Sequence, residues 1–351
     1  MVAADLEPGY IGTKFPKAEP QFMSIDWTPL ADLIATRERF AVTTHVRPDG
    51  DALGSTAGMV GLLRQRGKDV RAIIPSQTPP RYDFLDPDGT LFEHFGVDVQ
   101  AADLADREAL IIVDLSSWSQ LGDVAGWVRT FPGDRLIVDH HVSQDDLGAT
   151  VLKDTRAEAA GTLVVRAIRA LGGTFTPDVA TALLTAIAMD TGWFRHPSTR
   201  PETLRDAAEL VESGAEIDRV YRLLFERSTA GRLKMIGQAL ANMQVVLGGR
   251  VAYAAVSLAD LERTGAIPQD TEDLVDYTAT IDGVEVGLLF IEQARGGVKL
   301  SLRSRTGLDC SRLAGQFGGG GHKAAAGASL PGPLSDSVPT ILEAVRVALD
   351  S

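Results

Sequence analysis

The sequence predicts an α/β protein of two domains, the first built on a mainly parallel sheet flanked by helices and the second a smaller α/β domain. Three observations carry this. The first part of the chain holds short runs rich in Val and Ile: RFAVTTH ending at His45, VRAIIP at 70–75, ALIIVD at 109–114 and RLIVD at 135–139. Continuous apolar runs of this length are what strands buried on both faces look like, as in a parallel sheet. The stretches between them are long enough for crossover connections, and ALGSTAGMVGLLRQRG, 157–172 and 178–189 keep helical spacing. Beyond residue 245 the pattern changes, with two apolar runs around Gly248-Gly249 and two more around Gly296-Gly297, both hairpin signals. The expected organisation is an extension over 1–24, a first domain over 25–197, a helical linker over 198–245 with segments at 201–213, 216–227 and 229–243, and a second domain over 246–351.

Composition narrows the function. A chain of 351 residues with 44% apolar content is long enough for two cores. The 47 acidic against 34 basic residues leave a formal −13, which argues against a wide grip on long duplex DNA or an anionic membrane. The single Cys310 excludes an internal disulfide framework and a thiolate zinc cage, and reads as a core residue. No apolar run suits a signal peptide or approaches the roughly 18 residues of a membrane helix, so a cytoplasmic location is expected.

Five of the six histidines sit beside aspartates or a glycine run: His45 in HVRPDGD, His140 and His141 in VDHHV, His196 after MDTGWFR, and His322 in GGGGHKAAAG. Asp and His together are the side chains that hold Mn²⁺-type ions. His45, Asp114 and Asp139 each close a predicted strand, where ligand sites of open α/β sheets form. Asp190 ends the apolar helix 178–189 and must be turned toward the same rim. Each piece also has an ordinary explanation: Pro48-Asp49-Gly50 is a turn signal, Asp114 can cap a helix, and the glycine run can be a flexible loop. Adjacent His140 and His141 are harder to explain structurally, because protonated neighbours repel. His94, in LFEHFG, lacks a companion acid and is expected as a loop or surface residue.

Taken in order, HVRPDGDALGS, LIIVDLSS, IVDHHVS, AIAMDTGWFR and FGGGGHKAAAG resemble, motif for motif, the DHH/DHHA1 phosphoesterase superfamily. Asp139-His140-His141 is the triplet that names it, and GGGGH followed by AAG is the signature of its DHHA1 domain. The likeness spans 25–350 and is nearest to the compact bifunctional oligoribonuclease and pAp phosphatase (NrnA) type, with PPRYDFLDP at 79–87 and KLSLRSR at 299–305 adding to it.

The resemblance implies a DHH catalytic domain, a DHHA1 substrate-binding domain and an active-site cleft between them. One metal would be held by His45, Asp49 and Asp114, a second by Asp51, Asp114, His140 and Asp190, with Asp114 bridging. Asp139 would stand behind the ligands and orient the adjacent histidine. His141 would face the substrate phosphate and donate a hydrogen bond or a proton toward the leaving oxygen. Arg303, Ser304, Gly319, Gly320 and His322 would contact the terminal phosphate and nucleotide, with Arg195 reaching the cleft. Four aspartates carry about −4, which two divalent ions balance; the thiolate-free set suits two Mn²⁺, with Mg²⁺ or Co²⁺ as substitutes. The implied reaction is in-line attack by a hydroxide activated between two metals, taking short 5′-phosphorylated oligoribonucleotides to mononucleotides and pAp to AMP plus phosphate. The same likeness suggests a homodimer formed through the first domain.

Related chemistries stand beside this. A family II inorganic pyrophosphatase shares the early motifs but not GGGGHKAAAG, and RecJ-type exonucleases usually carry extra nucleic-acid-binding domains. A cyclic-di-AMP or linear-dinucleotide phosphodiesterase shares all the motifs. A non-catalytic metal-bound nucleotide sensor should have lost a ligand, whereas every position is filled here.

Overall fold

The computed structural model describes residues 25–321 and 323–350. They divide between two compact units, with the boundary between Leu224 and Phe225. The first unit holds one parallel sheet of strands β1 (Arg39–Thr43), β2 (Asp69–Ile74), β3 (Phe92–His94), β4 (Ala109–Val113), β5 (Asp134–Asp139) and β6 (Thr150–Lys153), in the order β3-β2-β1-β4-β5-β6. Its helices are α1 (Thr28–Thr36), α2 (Gly50–Gln65), α3 (Val124–Thr130), α4 (Ala160–Ala170), α5 (Pro177–Asp190), α6 (Pro201–Glu212) and α7 (Ile217–Phe225).

Successive strand residues go to opposite faces and both faces are covered. Phe40, Val42, Ile111 and Val113 join Leu53, Leu163 and Leu183 in one core, while Ala41, Leu110 and Ile112 join Val124, Trp127 and Val128 in the other. Two-sided burial is why these strands read as unbroken apolar runs, and each large side chain so placed contributes about 1.5–3 kcal/mol. The strand order reverses between β1 and β4. A crevice at that switch point, outside the carboxyl ends of the strands, is where open α/β sheets bind ligands; Asp114 follows β4 directly and His45 follows β1 after Thr44.

Two strands escape the sequence pattern. β6 is a four-residue edge strand, and β3 has three residues ending in His94. His94 is therefore not a loop residue, and it has a companion acid that its immediate motif does not announce: its Nδ1 lies 2.8 Å from Asp98 Oδ2.

Helices α2 and α5 run antiparallel in close contact because α2 presents glycines to α5. A Cβ on Gly54 would lie 2.3 Å from the Ala182 carbonyl oxygen, and one on Gly50 would meet the Met189 side chain. The start of α2, with Asp49 and Asp51, thereby lies beside the end of α5, with Asp190.

The first helix wholly in the second unit is α8 (Ala230–Ala241), so the stretch 198–245 is shared: α6 and all of α7 but Phe225 lie in the first unit, α8 in the second. Its mixed sheet contains β7 (Gln244–Val246), β8 (Val251–Val256), β9 (Val286–Glu292), β10 (Val298–Ser304), β11 (Gly320–Gly321) and β12 (Ala325–Leu330), ordered β11-β12-β10-β9-β8-β7. Of the described pairings in this sheet, β8 with β9 is the parallel one, and β7–β8 and β9–β10 are the two expected hairpins. Helices α9 (Leu258–Thr264) and α10 (Leu274–Thr278) join α8 over one face, and α11 (Cys310–Gly315) and α12 (Leu334–Leu349) pack on the other, where Cys310 is a buried core residue. No helix among the described residues is long and apolar enough to cross a membrane.

The glycine contact gives a stability test. Gly54→Val should destabilise the protein by about 2–3 kcal/mol through overpacking against α5, whereas Gly126→Ala, in α3 with open space around it, should be stabilising by about 0.5–1 kcal/mol. Thermal melts of the two variants should therefore move in opposite directions, and equal shifts would contradict the packing account.

Candidate metal centre

The loop HVRPDGD turns from β1 into α2 through a left-handed Arg47, φ 54°, whose N–H donates to Ser76 Oγ at 2.7 Å. Asp49 caps α2, its Oδ1 accepting from the N–H of Asp51 and Ala52. Asp51 follows in the first turn of α2, and its two oxygens accept from the Ala160 and Gly161 N–H groups at 2.7 and 2.8 Å. This buried carboxylate thus lies at two helix N-termini, α2 and α4, whose partial positive charge favours an anion. Asp114 leaves β4 in a left-handed conformation, φ 57°, a strained state that persists only when its surroundings enforce it. Asp139 ends β5, followed by His140 and His141. Asp190 closes α5, and Gly192, Trp193 and Phe194 continue in left-handed backbone with φ of 54°, 59° and 62°. The Asp190 carbonyl accepts from His196 Nδ1.

These elements bring six of the predicted side chains together. His45 Nε2 lies 3.4 Å from Asp114 Oδ2 and 4.0 Å from Asp49 Oδ1. His140 Nε2 lies 3.3 Å from Asp114 Oδ1, 3.5 Å from Asp190 Oδ2 and 3.6 Å from Asp51 Oδ2. Asp114 consequently turns one oxygen to each imidazole. Both histidines use Nδ1 elsewhere: His45 donates to the Val46 carbonyl at 3.0 Å and His140 to the Ala157 carbonyl at 3.1 Å. In a neutral ring that leaves the Nε2 lone pair facing carboxylate oxygens, and acceptors opposed at this range require a cation between them. Asp114 Oδ1 is buried and has no hydrogen-bond partner among the described residues, a cost that a bound ion removes.

The electrostatics agree. Burial works against the charged form of His45, yet Asp114 and Asp49 outweigh it and raise its pKa to about 9. His140 is driven up to about 11 in the same way, against burial, by Asp114, Asp51 and Asp190. Burial, reinforced by Asp114 and Asp49 against the pull of His140, lifts Asp190 to about 7, and burial with Asp114 and Asp190 holds Asp51 well above the usual carboxylate range. For Asp114 burial is overcome by His140 and His45, which hold it low. His45, His140, Asp51 and Asp190 thus all hold protons more tightly than usual, as groups in a buried cluster rich in carboxylates do. The groups His45/Asp49/Asp114 and Asp51/His140/Asp190 each place ligand atoms within 4.8 Å of one another, as does Asp114/His140/His141. The described residues therefore fit divalent metal ions in oxygen and imidazole sites without thiolate.

Behind the cluster, Asp139 touches His141 rather than His140: its Oδ1 accepts from His141 Nδ1 at 2.8 Å. The backbone carbonyl of Ala157 orients His140 instead. Ser116 Oγ and Lys153 Nζ reach the other oxygen of Asp139, Lys153 at 2.9 Å. Burial is outweighed by His141 and Ser116, with Lys153 adding to them, and the Asp139 pKa falls to about 2. Neither Ser116 nor Lys153 stands out in the sequence, since one follows a strand end in LSS and the other sits in the edge strand β6.

The predicted substrate residues are placed less tightly. Arg195 is exposed, and its Nε donates to the Gly192 carbonyl at 2.7 Å on the turn after Asp190. Arg303 pairs with Asp276 at 2.7 Å, and the Ser304 N–H donates to the Ala324 carbonyl. Gly319 packs so closely on β12 that a Cβ would lie 2.1 Å from the Gly327 carbonyl oxygen, and Gly320 pairs with Gly327. His322 lies outside the described residues.

Comparison with known proteins follows the same lines. A DHH family N-terminal domain matches residues 39–187 and a DHHA1 domain matches residues 248–350. The bifunctional oligoribonuclease and PAP phosphatase NrnA of Thermus thermophilus is 34% identical over 311 residues, covering 88% of this chain and 89% of that protein. The protein of the same name from Bacillus subtilis is 25% identical over 308 residues, covering 86% and 93%. Among solved structures, an exopolyphosphatase-related protein from Bacteroides fragilis shares the fold with a TM-score of 0.88 at 24% identity, covering 93% of this chain and 97% of that one. Matched along nearly its whole length to such relatives, and carrying both domains in order, the chain belongs to the DHH/DHHA1 phosphoesterase family, among its NrnA-type members.

Proposed function

We propose that the protein is a divalent-metal-dependent phosphoesterase that hydrolyses short 5′-phosphorylated oligoribonucleotides, pApA included, to mononucleotides and converts pAp to AMP and phosphate. The observation that carries the chemistry is Asp114, a buried carboxylate whose Oδ1 has no hydrogen-bond partner among the described residues, turned toward two imidazoles whose Nδ1 atoms are both engaged on backbone carbonyls. The names of its relatives supply the substrates. His45, Asp49 and Asp114 would hold one ion and Asp51, Asp114, His140 and Asp190 the other, with Mn²⁺ best suited and Mg²⁺ or Co²⁺ as substitutes. Such ions supply activation of water near neutral pH and neutralisation of phosphoryl charge.

The chain's own groups do the rest. With Nδ1–H held by Asp139, His141 presents its Nε2 edge to the substrate. Burial opposes its charged form, but Asp139 and Asp114 outweigh burial and raise its pKa, so His141 can carry a second proton and deliver it to the leaving oxygen. Arg303, Ser304, Gly319, Gly320 and His322 are assigned to the substrate's phosphate and nucleotide, as is Arg195, because an arginine fork matches phosphate oxygens.

Substrate turnover tests this. Metal-stripped protein supplied with Mn²⁺ should release AMP from 5′-pApA and a five-nucleotide RNA, and phosphate from pAp, leaving pyrophosphate intact. Cleavage of cyclic di-AMP in preference to these would shift the assignment to a cyclic-dinucleotide phosphodiesterase, and binding of pAp without turnover would make the protein a sensor. Asp114→Asn and His140→Ala should each lower kcat/KM by at least about 1,000-fold, the equivalent of roughly 4 kcal/mol of lost charge stabilisation.

Metal binding should also release protons. Because the His45 and His140 pKa values are raised to about 9 and about 11 in the metal-free protein, both rings are charged at pH 7.5 and must lose a proton to bind an ion. The sign follows: affinity rises with pH up to and beyond 9. The stability that the protonated rings give the metal-free protein is complete below about 6.5, the unfolded histidine value. It is lost as pH climbs through about 9 for His45 and about 11 for His140. Calorimetry of Mn²⁺ binding in buffers of different ionisation enthalpy should show at least one proton released per protein, and none would contradict the ligand assignment.

A further inference from the structure

Lys153 stands out among groups that the mechanism does not yet use. Its side chain is 13% exposed, and its Nζ has three acceptors within reach: Asp139 Oδ2 at 2.9 Å, Ser116 Oγ at 2.8 Å and the Ser143 carbonyl at 3.1 Å. The register of β5 and β6 sets it directly opposite Asp139. Asp139 itself is fully buried, and its remaining oxygen accepts from His141 Nδ1 at 2.8 Å. Lysine, carboxylate and imidazole thus form a chain from the edge strand to the rim of the site, with the Ser116 hydroxyl bridging its first link. Among the described residues Lys153 is the ion-pair partner of this buried carboxylate on the side away from the histidine, so the geometry of Asp139 depends on the ammonium.

We propose that Lys153 is a positioning residue of the phosphoester hydrolysis, acting through Asp139 to fix the ring of His141 with Nδ1 inward and Nε2 toward the substrate. The inference rests on the function proposed above for the same site. The partners of the ammonium are Asp139, Ser116 and Ser143, none of them a proposed metal ligand, so its loss should leave metal affinity in place and act on turnover.

The experiment compares the unmodified protein with Lys153→Met, Lys153→Arg, His141→Ala and the Lys153→Met/His141→Ala double variant, each assayed on pAp with Mn²⁺. Lys153→Met should lower kcat by about 10–100-fold, the usual effect of removing an outer partner, with KM and Mn²⁺ affinity within about twofold of the unmodified protein. Lys153→Arg should recover part of kcat. In the His141→Ala background Lys153→Met should cost nothing further, because its effect passes through the missing ring. An equal additional loss there, or an unchanged kcat in the single variant, overturns the proposal. Should Lys153→Met melt as an unfolded chain, Lys153→Ala with added ethylammonium takes its place: recovery of kcat supports the proposal and no recovery opposes it. A second readout does not depend on turnover. Ring ¹⁵N spectra of the Mg²⁺-loaded protein, with His141→Ala as the assignment standard, should show an Nδ1-bound proton on His141 that Lys153→Met displaces. If the unmodified protein hydrolyses none of the substrates, the functional reading fails while this spectrum still decides the role of Lys153: an unchanged Nδ1 signal rejects it.

Discussion

The site depends on one unfavourable arrangement: the Asp114 carboxylate, buried at the end of a central strand in left-handed backbone, faces two imidazole nitrogens, and its Oδ1 has no hydrogen-bond partner among the described residues. Charge buried in this way costs several kcal/mol unless something compensates it. In the metal-free protein the compensation is proton uptake by His45 and His140; in the proposed metal-bound state it would be coordination. The fold supplies this tension. Strands β1 and β4 are neighbours at the point where the sheet reverses order, so the residues that follow them meet outside the sheet, and the glycine face of α2 draws the end of α5 and Asp190 to the same rim.

Around that centre the protein relies on backbone more than on side chains. The Val46 and Ala157 carbonyls set the two ring orientations, the first amides of α4 hold Asp51, and the first turn of α2 holds Asp49. Backbone partners of this kind fix ligands within narrow geometry because they belong to rigid elements. The exception is Asp139, which is held by the side chains of Ser116 and Lys153 and in turn holds His141, the one imidazole of the triplet directed to substrate in the proposed reaction. The −13 net charge fits the proposed function: the buried acidic groups cluster at the candidate metal centre, and the short substrates proposed would need no broad basic surface.

Much of this is legible in the sequence for a definite reason. Two-sided burial makes β1, β2, β4 and β5 unbroken apolar runs, and the charged residue that ends such a run must lie at the rim, so the pattern alone places His45, Asp114 and Asp139 there. Paired glycines mark the two hairpins of the second unit. What the sequence does not show depends on packing between distant segments. Asp190 reaches the site only because Gly50, Gly54 and Gly58 let α5 approach α2. Lys153 and His94 lie in strands of four and three residues, too short to carry a period. The motif suggests Asp139 as the support of the metal-facing histidine, but the local chain gives that task to the Ala157 carbonyl, which lies 17 residues from His140 and leaves no side-chain signature.

The most direct test of the account is anomalous diffraction from crystals of the protein soaked in Mn²⁺. Two peaks should appear, one among His45, Asp49 and Asp114 and the other among Asp51, Asp114, His140 and Asp190, with Asp114 between them. A single peak elsewhere, or two peaks that do not share Asp114, would contradict the claim that this carboxylate is the bridge on which the site is built.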